Sequence, residues 1–283
     1  MTMLAGAAPA PRHTLFRRAA AIVAVAATAF LAACESLGVG AAPVPPPPEI
    51  GLYELRIYTP AEGKEAELDA RFRDHTIGLF RKHGMTPVGF FHVKTAANAP
   101  ADNRLIYILG YKDRAARDAS WRSFAGDQDW INVYAASQAR GPLTTKIENT
   151  FLTATDYSPK LDMSGVSLSP RLFELRTYTV NPGKLENLHT RFRDHTLRIF
   201  AKHGMTNFLY WRPVEGQPEM ENKMVYLLAF PNIDARTTAF RNFSADPEWQ
   251  KVAADSQRDG AILISPGGVV SVQLEPTDYS PLK

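Results

Sequence analysis

The chain has 283 residues, 45% hydrophobic and 22% charged, an ordinary globular composition with room for about two domains of roughly 100–200 residues. Its formal charge of +3 comes from Arg12, Arg17 and Arg18; once these are set aside, the 29 acidic residues are matched by an equal number of basic ones. Neutralising phosphates needs a basic surface, and no Lys/Arg run follows, which excludes a nucleic-acid role.

The first element in chain order reads as an export signal. A basic stretch ends at Arg17-Arg18, a fifteen-residue run of mostly apolar side chains fills 19–33, and Leu31-Ala-Ala-Cys34 sets small residues before a cysteine. Such a run falls short of the about 20 residues that cross ~30 Å of hydrocarbon but suits a signal h-region. Leu-Ala-Ala-Cys resembles the bacterial lipobox, which implies that Cys34 becomes an acylated N-terminus. The plainer reading is a secretory signal or an uncleaved anchor. Cys34 is the only cysteine, so no disulfide can form within one chain. Residues 34–50, with Pro45-Pro46-Pro47-Pro48, read as a semi-rigid polyproline tether. Each buried acyl CH₂ adds about 0.8 kcal/mol of anchoring. The expected location is the bacterial cell envelope, lipid-anchored and periplasm-facing. Glu35 rather than Asp after the cysteine favours the outer membrane.

The rest of the chain is an internal repeat. Tyr53-Glu-Leu-Arg-Ile-Tyr-Thr59 returns as Phe173-Glu-Leu-Arg-Thr-Tyr-Thr179, Arg71-Phe-Arg-Asp-His-Thr76 returns unchanged as Arg191 to Thr196, and Lys82-His-Gly-Met85 returns as Lys202 to Met205. Later blocks match as well: Trp130 with Trp249, and Thr155-Asp-Tyr-Ser-Pro159 with Thr277 to Pro281. Offsets near 120 residues are too long for a solenoid and mark a duplicated domain, 51–160 and 171–283.

Within copy one, residues 52–59 alternate as a strand. Leu68, Phe72, Leu79 and Phe80 recur at helical spacing over 62–83, and Gly84 follows as a stop. Strands are predicted at 86–95 and 104–111, helices at 113–125 and 127–140, and a last strand at 144–154. Asp127, like Asp246-Pro247 in copy two, suits a helix cap. The order βαββαβ makes each copy a ferredoxin-like α+β unit. In the first strand, Tyr53, Leu55 and Ile57 are expected under the long helix. Glu54, Arg56 and Tyr58, with Glu174, Arg176 and Tyr178, are expected on the open face. Two such faces in one chain can close into a single barrel, with the charges paired across its lumen.

The strand motif, the Gly-Lys turns at Gly63 and Gly183, the helix ending in Lys-His-Gly-Met and the Asp-Pro-Glu-Trp block at Asp246 to Trp249 together resemble the NIPSNAP domain of the dimeric α+β barrel superfamily. The resemblance covers 51–157 and 171–279, and implies a dimeric α+β barrel formed within one chain. It implies little about chemistry, because the superfamily includes cofactor-independent monooxygenases, haem-degrading enzymes, isomerases and pure binders.

Candidate sites follow from side-chain chemistry. His75 and His195 lie seven residues after Leu68 and Leu188, near the expected buried edge of the long helix, where each could shuttle protons or ligate haem, or simply bridge helix and sheet. His83 and His203, beside a lysine in a last helical turn, read as dipole partners. Glu186 and His189 have a metal-pair spacing, but copy one offers Ala66 and Asp69 there, so no metal site and no cofactor is expected. Glu54, Arg56, Tyr58, Glu174, Arg176, Tyr178 and Trp211 are the candidate ligand-binding residues of the lumen. Expected partners are the membrane through Cys34, and a small apolar or aromatic ligand or a protein; a homo-oligomer is compatible with the sequence. The rival expectation is a barrel enzyme using His75 or His195 with Arg56 or Arg176 stabilising an oxyanion.

Overall fold

A computed structural model describes residues 49–96, 99–161 and 171–283; the export signal, Cys34 and nearly all of the tether lie outside the described residues. Copy one runs β1 (Leu52–Pro60), α1 (Glu65–Arg71), a π-helical turn (Phe72–Thr76), α2 (Ile77–Lys82), β2 (Thr86–Val93), β3 (Leu105–Tyr111), α3 (Arg114–Ala125), α4 (Gln128–Gln138) and β4 (Thr144–Ala154). Copy two runs β5 (Leu172–Thr179), α5 (Leu185–Arg191), a second π-helical turn (Phe192–Thr196), α6 (Leu197–Lys202), β6 (Thr206–Pro213), β7 (Lys223–Phe230), α7 (Ile233–Ala245), α8 (Pro247–Asp255) and β8 (Val269–Pro276). Gly84 and Gly204 end α2 and α6 at φ +77° and +79°, a conformation glycine adopts without a Cβ clash. Asp127 and Asp246 cap α4 and α8, each side chain accepting the N–H two residues on. No helix among the described residues is long and apolar enough to cross a membrane.

Each copy makes an antiparallel four-stranded sheet, β4-β1-β3-β2 and β8-β5-β7-β6. Pairing of β2 with β8 and of β4 with β6 joins them into one closed eight-stranded barrel. The expected single-chain α+β barrel is therefore present.

The strand faces are the reverse of the expectation. Tyr53 and Leu55 point into the lumen, where they pack with Phe91, Phe173, Trp211 and Leu227 from both copies. Tyr53 meets Trp211 edge-on at 5.6 Å, and Phe91 meets Phe173 at 5.1 Å. The lumen is thus the shared apolar core, each large side chain contributing about 1.5–3 kcal/mol of burial, and the charged set lies under the helices. The physical reason is symmetry: a lumen enclosed by two copies is the driest place in the fold, while a helix layer can bring its own countercharges to the other face. Trp211 lies in the lumen as expected, but as packing.

The repeated Thr-Asp-Tyr-Ser-Pro block explains how the copies hold each other. After β4, Thr155 N–H donates to Tyr210 O, Ser158 Oγ accepts from Tyr210 N–H, and Asp156 takes two bonds from Arg193, all across to copy two. After β8, Thr277, Ser280 and Asp278 repeat those contacts with Phe90 and Arg73 of copy one. Each tail is clasped by the other copy, so neither sheet is complete alone.

Candidate functional site

The helix side of each sheet holds two kinds of arginine. Under α3, Glu54 is fully buried and accepts hydrogen bonds from Arg56, Arg117, Tyr111 and Trp121. Under α7, Glu174 is likewise fully buried and accepts from Arg176, Arg236 and Ser271. Tyr58 and Tyr178 close these clusters by accepting from Arg56 and Arg176 at 3.2 Å. Burial pushes both carboxyls up, but the hydrogen bonds and charge of the paired arginines outweigh it and hold them below the usual range. Six of the seven residues expected in the lumen therefore form two carboxylate-centred ion clusters between sheet and helix; Arg56 Nε also donates to Tyr107 at 2.9 Å, whereas Arg176 Nε has no partner.

Arg71 and Arg191 are different. Each ends the first segment of the long helix, immediately before the π-helical turn. Thr76 and Thr196 hold that turn by donating Oγ–H to the carbonyl of Arg71 and Arg191, five residues back, at 3.0 Å. The extra residue in the turn changes which side chains face inward. Thr76 and Thr196 become buried, whereas His75 and His195, which an uninterrupted α-helical period places near the core, are exposed. This corrects the expected burial of both histidines.

A groove of about 660 Å³ runs beside this turn in copy two, between α5 and α8, lined by Glu186, Thr190, Arg191, His195, Val252 and Ser256 among others. In copy one the corresponding space between the long helix and α4 is divided into two hollows of about 460 Å³ each, both lined by His75. The structure thus brings His195 to the same groove as Arg191, and His75 to the same hollow as Arg71, but brings neither histidine to Arg56 or Arg176 in these lining sets. The sequence signal for the grooves was present in the unchanged Arg-Phe-Arg-Asp-His-Thr block, but a π turn has no periodic signature that separates it from α-helix. The ring of Trp249 lies 5.4 Å from the Arg191 guanidinium, and Trp130 lies 5.6 Å from that of Arg71.

The remaining histidines have structural partners. His83 and His203 reach the capping carboxylates of Asp127 and Asp246 at 2.6 Å, tying each long helix to the start of α4 and of α8. Those two carboxyls are held well below their ordinary range, first by Lys82 and Lys202 and then by these histidines. His189 is fully buried under Tyr157 of the clasp, whose hydroxyl lies 2.7 Å from Nδ1, and burial lowers its pKa to about 4. Asp69 takes its place in copy one and accepts from Tyr279 at 2.6 Å. Glu186 is turned to Arg212 rather than to His189. Among the described residues no cluster of three His, Cys, Asp or Glu side chains could hold a metal. A macrocycle such as haem does not fit the lumen, which the Phe91, Phe173 and Trp211 side chains fill.

Comparison with solved structures gives likenesses of fold. A protein from Lactobacillus acidophilus NCFM, provisionally assigned as a monooxygenase, superposes with TM-score 0.52 at 13% identity, covering 81% of this chain and 94% of its own. An anthrone oxidase-like protein superposes with TM-score 0.53 at 10% identity, covering 83% and 95%. A NIPSNAP family protein from Agrobacterium tumefaciens C58 shares 26% identity over 38% of this chain and 97% of its own, with TM-score 0.33. A search of the curated proteins found no match. The sequence model of the NIPSNAP family matches both copies, at residues 53–159 and 173–281, and the chain belongs to that family.

Proposed function

We propose that this chain is a lipid-anchored, periplasm-facing binding protein that takes a small ligand into the helix-side groove of its second copy. The observation that carries this reading is the location of open space. The barrel lumen is packed, whereas the groove beside the second π-helical turn offers about 660 Å³, within the range of small-molecule sites. Val252 and the stem of Arg191 supply an apolar wall, and Thr190, His195 and Ser256 supply polar groups, a combination suited to an aromatic or apolar body with one polar end. The anchor rests on Leu31-Ala-Ala-Cys34 and the proline tether, with Glu35 favouring the outer membrane.

Two measurements on the full chain extracted from its membrane test this. Its mass should begin at a diacylated Cys34, and Cys34→Ser should release it from the membrane fraction. Native mass spectrometry should detect a co-purifying small molecule that disappears when Val252→Trp fills the groove. A ligand retained by Val252→Trp, or oxygen-dependent turnover of a quinol by the purified chain, overturns the reading.

A further inference from the structure

The groove in copy two contains a charge that the fold leaves unanswered. Arg191 is only 5% exposed, yet no carboxylate of the described residues lies within 4.0 Å of it. Its one side-chain hydrogen bond runs from Nη1 to Ser256 Oγ at 3.4 Å, and its buried Nε has no partner. A guanidinium carries five N–H donors in a planar fork that matches a carboxylate two bonds at a time. Burying such a cation without an anion costs several kcal/mol, which the Trp249 ring offsets only in part.

The acids around the groove do not answer this charge either. Glu186 is taken by Arg212, Glu248 by Arg198, and Asp255 by Lys251 and Arg258. The rim is therefore internally neutralised and the uncompensated charge sits at depth. Copy one repeats the arrangement: Arg71 is 7% exposed, its Nε has no partner, and Nη1 reaches only Ser137 Oγ at 3.2 Å. There Tyr134 stands 5.8 Å from the guanidinium; Ala253 occupies the matching position in copy two, where the space is a single groove of about 660 Å³.

We infer that Arg191 is an anion anchor, and that the groove of copy two takes organic monoanions, the carboxylate on the Arg191 fork and an aromatic or acyl body against Val252. This rests on the groove being the ligand seat. Entry of a carboxylate supplies an acceptor for Nη2, which has no partner among the described residues, and neutralises the buried cation, so the anion should be distinguished strongly from a neutral isostere. Burial also lowers the pKa of Arg191, the direction expected of a cation lacking its counterion.

The test uses 4-fluorobenzoate and 4-fluorobenzamide as matched probes, followed by ¹⁹F NMR titration of the full chain in detergent. The Val252→Trp chain reports uptake by the micelle alone. The expected result is at least about tenfold tighter binding of the acid than of the amide. Arg191→Met should erase that preference, and Arg191→Lys, which keeps the charge but not the fork, should keep part of it. Equal binding of acid and amide, or a preference that survives Arg191→Met, overturns the anion anchor while leaving the groove as the seat. Failure of both probes to bind overturns the seat and the anchor together.

Discussion

Arg176 and Arg191 lie on the same side of one sheet, both are largely buried, and they have opposite surroundings. Arg176, with Arg236, shares the fully buried carboxylate of Glu174; its Nε has no partner, but its charge has a carboxylate in contact. Arg191 has a tryptophan face, one long bond to a serine and an open groove. A buried ion cluster with its partners in place holds helix to sheet; a buried cation without a partner does nothing comparable for the fold and points to a ligand. The contrast recurs in copy one between Arg56 and Arg71.

The largest effect should come from breaking the carboxylate-centred cluster. Glu174→Gln leaves the part-buried Arg176 and Arg236 without a counterion and should cost about 3–5 kcal/mol of unfolding free energy in urea. A loss under 1 kcal/mol would erase the distinction between the two kinds of arginine.

His189 sharpens the comparison because it is buried without an ionic partner and, unlike arginine, can shed its charge. Its folded pKa, lowered to about 4 by burial, lies below the ordinary 6.5. Above pH 6.5 neither the folded nor the unfolded chain holds the proton, and the contribution is fully present. As pH falls from 6.5 towards 4 the unfolded chain takes up a proton that the folded chain refuses, and stability declines by about 2–3 kcal/mol. Denaturation midpoints measured across that interval should slope for the natural chain, and His189→Gln should remove that part of the slope. An unchanged slope in the variant would mean that the burial of His189 is not felt.

The clasp gives the solvent-exposed limit of the same chemistry. Arg193–Asp156 and Arg73–Asp278 are bidentate, but water already solvates both partners, so Asp156→Ala and Asp278→Ala should each leave stability nearly unchanged. Thermal unfolding of each variant measures this, and a fall in midpoint as large as that of Glu174→Gln would show that the clasp charges do more than position the tails.

Much of the fold was legible in the sequence because duplication printed it twice. Strand alternation, Gly84 and Gly204 as helix stops, Asp127 and Asp246 as caps, and the closure of two sheets into one barrel all follow from local chemistry and the repeat. The direction of the first strand was not legible. Alternation separates Tyr53, Leu55 and Ile57 from Glu54, Arg56 and Tyr58 without saying which set meets the helices, and the countercharge that decides it, Arg117, lies 63 residues from Glu54. The candidate site was legible only as an unchanged block of six residues. One added residue in a helical turn carries His75 and His195 outward, and the lack of a partner for Arg191 is a property of packing that no pattern encodes.

The most direct test of the central claim, that the groove arginine is kept for a ligand rather than for the fold, is the unfolding free energy of Arg191→Met in ligand-free protein. Methionine keeps an unbranched, flexible side chain suited to an apolar wall while removing an unanswered charge. The account predicts a stability within about 1 kcal/mol of the natural chain, or above it. A loss of about 3 kcal/mol or more, comparable to Glu174→Gln, would place Arg191 among the structural arginines and contradict the account.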